Sequence, residues 1–138
     1  MSLKPYPEYK DSGFDWLGSL PSSWKALRLK FGFDLQKRPI SSDMEIVTAF
    51  RDGEVTLRKN RRLEGYTEGD KQIGYQGIEP GDLVIHAMDA FAGAIGVSDS
   101  RGKSTPVYNV CRPKPGVQAR FFAFALRHLA LTGYIESL

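Results

Sequence analysis

With 138 residues, 41% of them hydrophobic and 25% charged, the chain has the size and balance of one folded domain with its own core, which argues against disorder as its main state. No apolar run approaches the roughly 20 residues that span a bilayer, and no basic-then-apolar leader opens the chain, so no membrane partner and a cytoplasmic location are expected. The single cysteine excludes an internal disulfide or a multi-cysteine zinc site, and the formal charge of +3 is compatible with nucleic acid without specifying it.

In chain order, residues 1–23 space Tyr9, Phe14, Trp16, Leu17 and Leu20 among turn formers, which predicts an extended arm whose aromatics anchor it by packing. From Trp24 to Phe33 the parity separates Leu27, Leu29, Phe31 and Phe33 from Ala26, Arg28 and Lys30, the pattern of a first strand with one wet face. Residues 36–43 read as a loop, 45–50 as a strand, and Asp52-Gly53 as a hairpin turn into a strand over 54–57. Arg51, Arg58, Lys59, Arg61 and Arg62 stand against only Asp52 and Glu54, so five minus two gives this short stretch an excess equal to the +3 of the whole chain. Residues 64–77 carry glycines at 65, 69, 74 and 77, which predicts a long connection with a short strand near 72–75.

The stretch from Gly81 to Pro113 predicts three buried strands, over 83–87, 94–97 and 107–111. Gly93 and Gly96 allow close backbone approach, and the polar run 98–104 is expected to project as a charged loop. A helix is predicted over 117–131, closed by Gly133, with Phe121, Phe122, Ala125, Leu126 and Leu129 on its packing face and Phe124 and Leu131 widening it. The fold class expected is α+β: a single domain with a twisted, mainly antiparallel sheet packed by one C-terminal helix. An arm at 1–23, a β-rich body at 24–116 and the helical segment 117–138 divide it.

The chemistry of most enzymes is missing. The sequence has no P-loop, no Gly-x-Gly-x-x-Gly after a strand and no Gly-x-Ser-x-Gly elbow, and nothing in it calls for a cofactor or a small-molecule substrate. Asp82, His86 and Asp89 are close in sequence, yet strand alternation puts 82 and 86 on one face and Asp89 past the strand end, so no metal site is expected. Glu8-Tyr9-Lys10 has the acid-x-lysine form of many nucleases but lacks a preceding aspartate. Cys111 and His128 read as packing or surface residues, and no catalytic residue is assigned.

Two stretches carry a resemblance. Tyr9-Lys-Asp-Ser-Gly13 with Trp16-Leu-Gly-x-Leu-Pro-x-x-Trp24 looks like an opening signature. Arg51-Asp-Gly-x-Val55, Gly81-Asp-Leu-Val84, Met88, Phe91, Gly93-Ala-Ile-Gly-Val-Ser98, Pro106-x-Tyr108 and Cys111-Arg-Pro113 follow in the order of a strand core. Together they resemble the N-terminal target recognition domain of a type I restriction-modification DNA specificity subunit. The resemblance departs at Met88-Asp-Ala-Phe91, where the family has Met-x-x-Trp, and at Gly102-Lys-Ser-Thr-Pro106, where it has Gly-Ile-Val-Ser-Pro. It implies a non-catalytic reader of one half-site in double-stranded DNA, acting in host defence and DNA methylation with methyltransferase (modification) subunits and a restriction/translocase subunit. It also implies that the chain is a half-subunit, ending where a spacer helix would begin.

On that reading the expected DNA-binding residues are Arg51, Arg58, Lys59, Asn60, Arg61, Arg62, Gln72, Gln76, Arg101, Lys103 and Ser104, with the loops carrying Asn60, Arg61, Arg62, Gln72, Gln76, Arg101 and Lys103 expected to converge on one groove. Arg and Lys are the groups that reach phosphates and guanine, Asn and Gln those that pair with adenine. The competing expectations are a small metal-dependent nuclease and a protein-interaction module using the apolar helix.

Overall fold

The structure, a computed structural model, describes residues 9–11, 19–21, 29–61 and 73–133. The chain forms two compact units, Met1–Phe31 and Gly32–Leu138. In the first, β1 (Tyr9–Asp11) pairs antiparallel with β2 (Ser19–Pro21), Lys10 opposite Leu20. The segment expected as an arm thus folds back on itself, pairing backbone groups that a lone extended strand would leave to water. Trp16 and Trp24 lie outside the described residues.

A four-residue helix, α1 (Leu29–Gly32), stands where alternation predicted a strand. The strand begins only at β3 (Phe33–Leu35), because its partner β10 (Tyr108–Pro113) ends at Pro113, opposite Phe33. Beyond Pro113 the chain turns through Gly116 at φ 83°, so residues 29–32 have no strand to pair with. The Gly32 carbonyl accepts the Lys114 amide instead, at 2.9 Å.

The larger unit is α+β and mainly antiparallel. Its principal sheet orders β3, β10, β7 (Leu83–His86) and β8 (Ile95–Val97), all neighbours antiparallel. Two further pairs are β4 (Val47–Ala49) with β5 (Val55–Leu57), and β6 (Gln76–Ile78) with β9 (Gly102–Ser104). Three single bridges join these pieces: Val55 to Ser98, Ile46 to Lys103, and Arg38 to Gly77. Backbone pairing therefore runs in a closed circuit, β3–β10–β7–β8–β5–β4–β9–β6 and back to Arg38 just after β3. Among the described residues of this unit, closure of this kind leaves no long free edge to recruit another strand.

Two glycines permit the two parallel joints. A side chain at Gly96 would strike the Gly53 carbonyl oxygen, and one at Gly102 would strike the carbonyl of Glu45. The core within the circuit is Val47, Ala49, Val55, Ile78, Val84, Ala94, Tyr108 and Val110. Burial of such branched aliphatics, at about 25 cal/mol per Å² of apolar surface, is the main force holding it.

Three expectations need correction. The polar run 98–104 is not a projecting loop: Ser98 and all of β9 are buried, because β6 and Glu45 satisfy the β9 backbone and small Gly102 and Ser104 let it approach. The strand expected near 72–75 is β6, four residues on, where Gly77 faces Arg38 closely enough to pair. The helix, α2 (Ala119–Leu131), packs on β8 and the Ala90–Ala92 turn through Ala123 and Ala130 rather than through Phe121. Alanines bring it near enough for Arg127 to donate to the carbonyls of Gly93 and Arg51, at 2.9 and 3.1 Å. Phe121, Phe124 and Leu131 consequently lie on its exposed side. No helix among the described residues is long and apolar enough to cross a membrane.

Candidate nucleic-acid interface

The basic residues after β5 are fixed by hydrogen bonds to the hairpin that precedes them. The Arg58 amide donates to the Ile46 carbonyl at 2.8 Å, prolonging the β4–β5 ladder into the short 3-10 turn Arg58–Asn60. Arg58 Nε donates to Thr48 Oγ1 at 3.2 Å, and Asn60 Nδ2 to Thr56 Oγ1 at 2.8 Å. Lys59 Nζ is 2.7 Å from Glu45 Oε2. On the other side of the same segment the Lys103 amide donates to the Glu45 carbonyl at 2.9 Å.

These bonds draw Arg58, Lys59 and Lys103 around residues 42–46, where they line an open, mainly polar groove of about 420 Å³. An adjoining groove of about 330 Å³ shares Asp43, Met44, Glu45 and Lys59 and adds Leu57 and Arg101. Arg58, Lys59, Arg101 and Lys103 are thus four cations around Asp43 and Glu45, with Glu79 paired to Arg101 at 3.3 Å, a net +1. Asp43 accepts from the Ser41 hydroxyl, which with its own backbone amide holds its carboxyl below the usual range; Arg101 and Lys103 add to the effect. Ser42, Asp43, Met44 and Glu45 are groove residues that sequence reasoning missed. The polar Ser41-Ser42-Asp43 run just ahead of a strand was their signal.

The other expected residues go elsewhere. Arg61 lies over the Phe50 ring at 4.1 Å and pairs with Asp52 at 2.8 Å and Glu54 at 3.3 Å, all on the β4–β5 hairpin. Arg51 pairs with Asp89 at 3.1 Å. Gln76 is buried, its side-chain Nε2 donating to the carbonyls of Tyr108 at 2.6 Å and Thr105 at 3.3 Å, so both amide hydrogens are engaged within the fold. Ser104 is buried too, with its hydroxyl on the Thr105 carbonyl. Arg62 and Gln72 lie outside the described residues. The eleven residues therefore do not share one groove; Arg58, Lys59 and Lys103 line one, and Lys59 and Arg101 the groove adjoining it.

The acids near β7 are structural. Asp82 takes Arg38 through both oxygens and the Glu79 amide at 2.8 Å, which uses its lone pairs where a metal would need them. His86 stacks on Tyr108 at a centroid distance of 4.6 Å and lies 3.7 Å from Asp89. Among the described residues no three His, Cys, Asp or Glu side chains form a metal-holding group. Glu8 lies outside those residues. Partial burial pushes the Cys111 thiol up from its ordinary value, away from the thiolate that a nucleophile requires.

The class defined by these observations is an α+β domain in which, among the described residues, a ring of short strands carries two adjoining grooves with Arg58, Lys59, Arg101 and Lys103 in their lining. Compared with known proteins, the chain matches no family model and no curated relative.

Proposed function

We propose that the chain is a sequence-specific double-stranded DNA reader, the specificity component of a type I restriction-modification complex, binding one half-site for partner methyltransferase and restriction subunits without catalysis of its own. The observation that carries the reading is the gathering of Arg58, Lys59, Arg101 and Lys103 around residues 42–46 from two distant parts of the chain. The motif resemblance over residues 9–24 and 51–113 supports the identity of the complex. A groove in which cations outnumber acids attracts a polyanion, and Lys and Arg supply the phosphate contacts that set register.

Burial of Lys103 and the engagement of Arg61 reduce the expected phosphate contacts to roughly three, so log K should fall against log salt with a slope near about −3. Fluorescence anisotropy with a labelled duplex across a salt series measures this. Lys59→Glu should remove most duplex binding. An unchanged affinity would return these cations to the role of a solvated surface.

A second reading, a protein-interaction module, is favoured by the outer side of α2, where Phe124 is 63% and Leu131 58% exposed beside Phe91 at 52%. Duplex binding separates the two.

A further inference from the structure

Two of the four cations, Lys59 and Arg101, are already held by carboxylates. Glu45 Oε2 pairs with Lys59 Nζ at 2.7 Å, and Arg101 Nε donates to Glu79 Oε1 at 3.3 Å. Asp43 lines both grooves beside Lys59, with Lys103 in one and Arg101 in the other. Glu45 is not on a free loop. Its carbonyl oxygen receives the Lys103 amide next to the Ile46–Lys103 bridge, so its backbone stays where it is when a ligand arrives.

A carboxylate and a phosphodiester both present two anionic oxygens to an ammonium group, and an ion pair this exposed is weak enough to be exchanged. Both partners are about half exposed, at 56% and 52%, so an incoming phosphate reaches Lys59 without opening the fold.

We infer that Glu45, flanked by Asp43, is a built-in stand-in for a backbone phosphate and thereby a specificity-determining residue. It competes for Lys59 with any nucleic acid that does not bring a phosphate to that point with the rest of its contacts in place. Random sequence is rejected more than the matched half-site, so affinity is given up for selectivity. The inference rests on the duplex-DNA reading above, and its test separates the two.

The measurement is binding of a labelled random-sequence duplex by the full chain and by Glu45→Gln, Lys59→Gln and the double variant. Glu45→Gln should bind about 3–5-fold tighter than the parent, with a salt slope steeper by about one. In the Lys59→Gln background the same change should give almost no gain, because the cation it unmasks is gone. An equal gain in both backgrounds means only that net charge changed, and overturns the inference while leaving the reader intact. If Lys59→Gln costs no affinity and Glu45→Gln adds none, the groove is not the DNA interface and both proposals fail.

Discussion

Two polar clusters of the larger unit use the same residue types to different ends. Around β7, Arg38 grips Asp82 through both carboxylate oxygens at 2.5 and 3.2 Å, and the Asp82 side chain is only 3% exposed. Around residues 42–46, Lys59 and Glu45 meet through one contact with both side chains more than half exposed. The first cluster ties the β3–β6 joint to the start of β7 and would leave a buried charge if opened. The second can open into water or onto a phosphate at little cost. Burial, rather than charge or residue type, separates the polar groups that hold this fold from those free to act on a ligand.

The sharpest way to break that contrast is Asp82→Ala. It strips Arg38 of its partner and the Glu79 amide of its acceptor in a buried setting, so stability should fall by about 3 kcal/mol. Urea unfolding followed by far-UV circular dichroism measures it. A loss no larger than that of an exposed pair would show that the β7 cluster is as expendable as the groove.

A smaller effect is expected at Gln76, which sequence chemistry assigns to base reading. Gln76→Ala removes the donor to the Tyr108 and Thr105 carbonyls and should cost about 1–2 kcal/mol in unfolding experiments. Duplex affinity measured below the unfolding transition should not change. A variant of unaltered stability that bound DNA less well would move Gln76 from the fold to the interface.

The difference between these clusters also explains what was legible beforehand. Apolar runs announced β7, β8 and β10 to within about two residues, and the Asp52-Gly53 turn placed β4 and β5. β9 was invisible because Gly102-Lys103-Ser104 has no hydrophobic signal. It is buried by its backbone pairing to β6 and by the closeness that Gly102 allows. The packing face of α2 was legible in part: Phe122 meets Phe33 edge-on at 5.4 Å, but Phe121 is exposed, and the most buried positions are Ala123 and Ala130, which bring Arg127 within reach of two carbonyls. At the 42–46 groove, the basic run after β5 was plain in the sequence. Its company was not, since Lys103 and Glu45 are brought together by a parallel bridge between residues far apart in the chain.

The smallest effect is expected at Arg61, and it tests whether exposure alone is enough to make a cation a DNA contact. Arg61 is exposed like Lys59, but its guanidinium is laid over Phe50 and shared by Asp52 and Glu54, whereas Lys59 has one acid. Binding a phosphate would cost Arg61 the stacking and both carboxylates together, so it should stay on the hairpin when DNA arrives. Arg61→Ala should therefore leave duplex affinity close to that of the parent, under conditions where Lys59→Glu removes most of it. Its trace is expected in the acid limb of stability. The Arg61 hydrogen bond, with the Glu54 amide, holds the Asp52 carboxyl below its ordinary value. The stability so contributed is present above the unfolded value of about 4 and is lost as pH falls through the lower folded one. In Arg61→Ala that part of the acid dependence should shrink, and about 0.5 M salt should largely erase the difference between the two proteins. If Arg61→Ala instead weakens duplex binding as much as Lys59→Glu does, the hairpin tip belongs to the interface and the boundary drawn here at the 42–46 groove is too narrow.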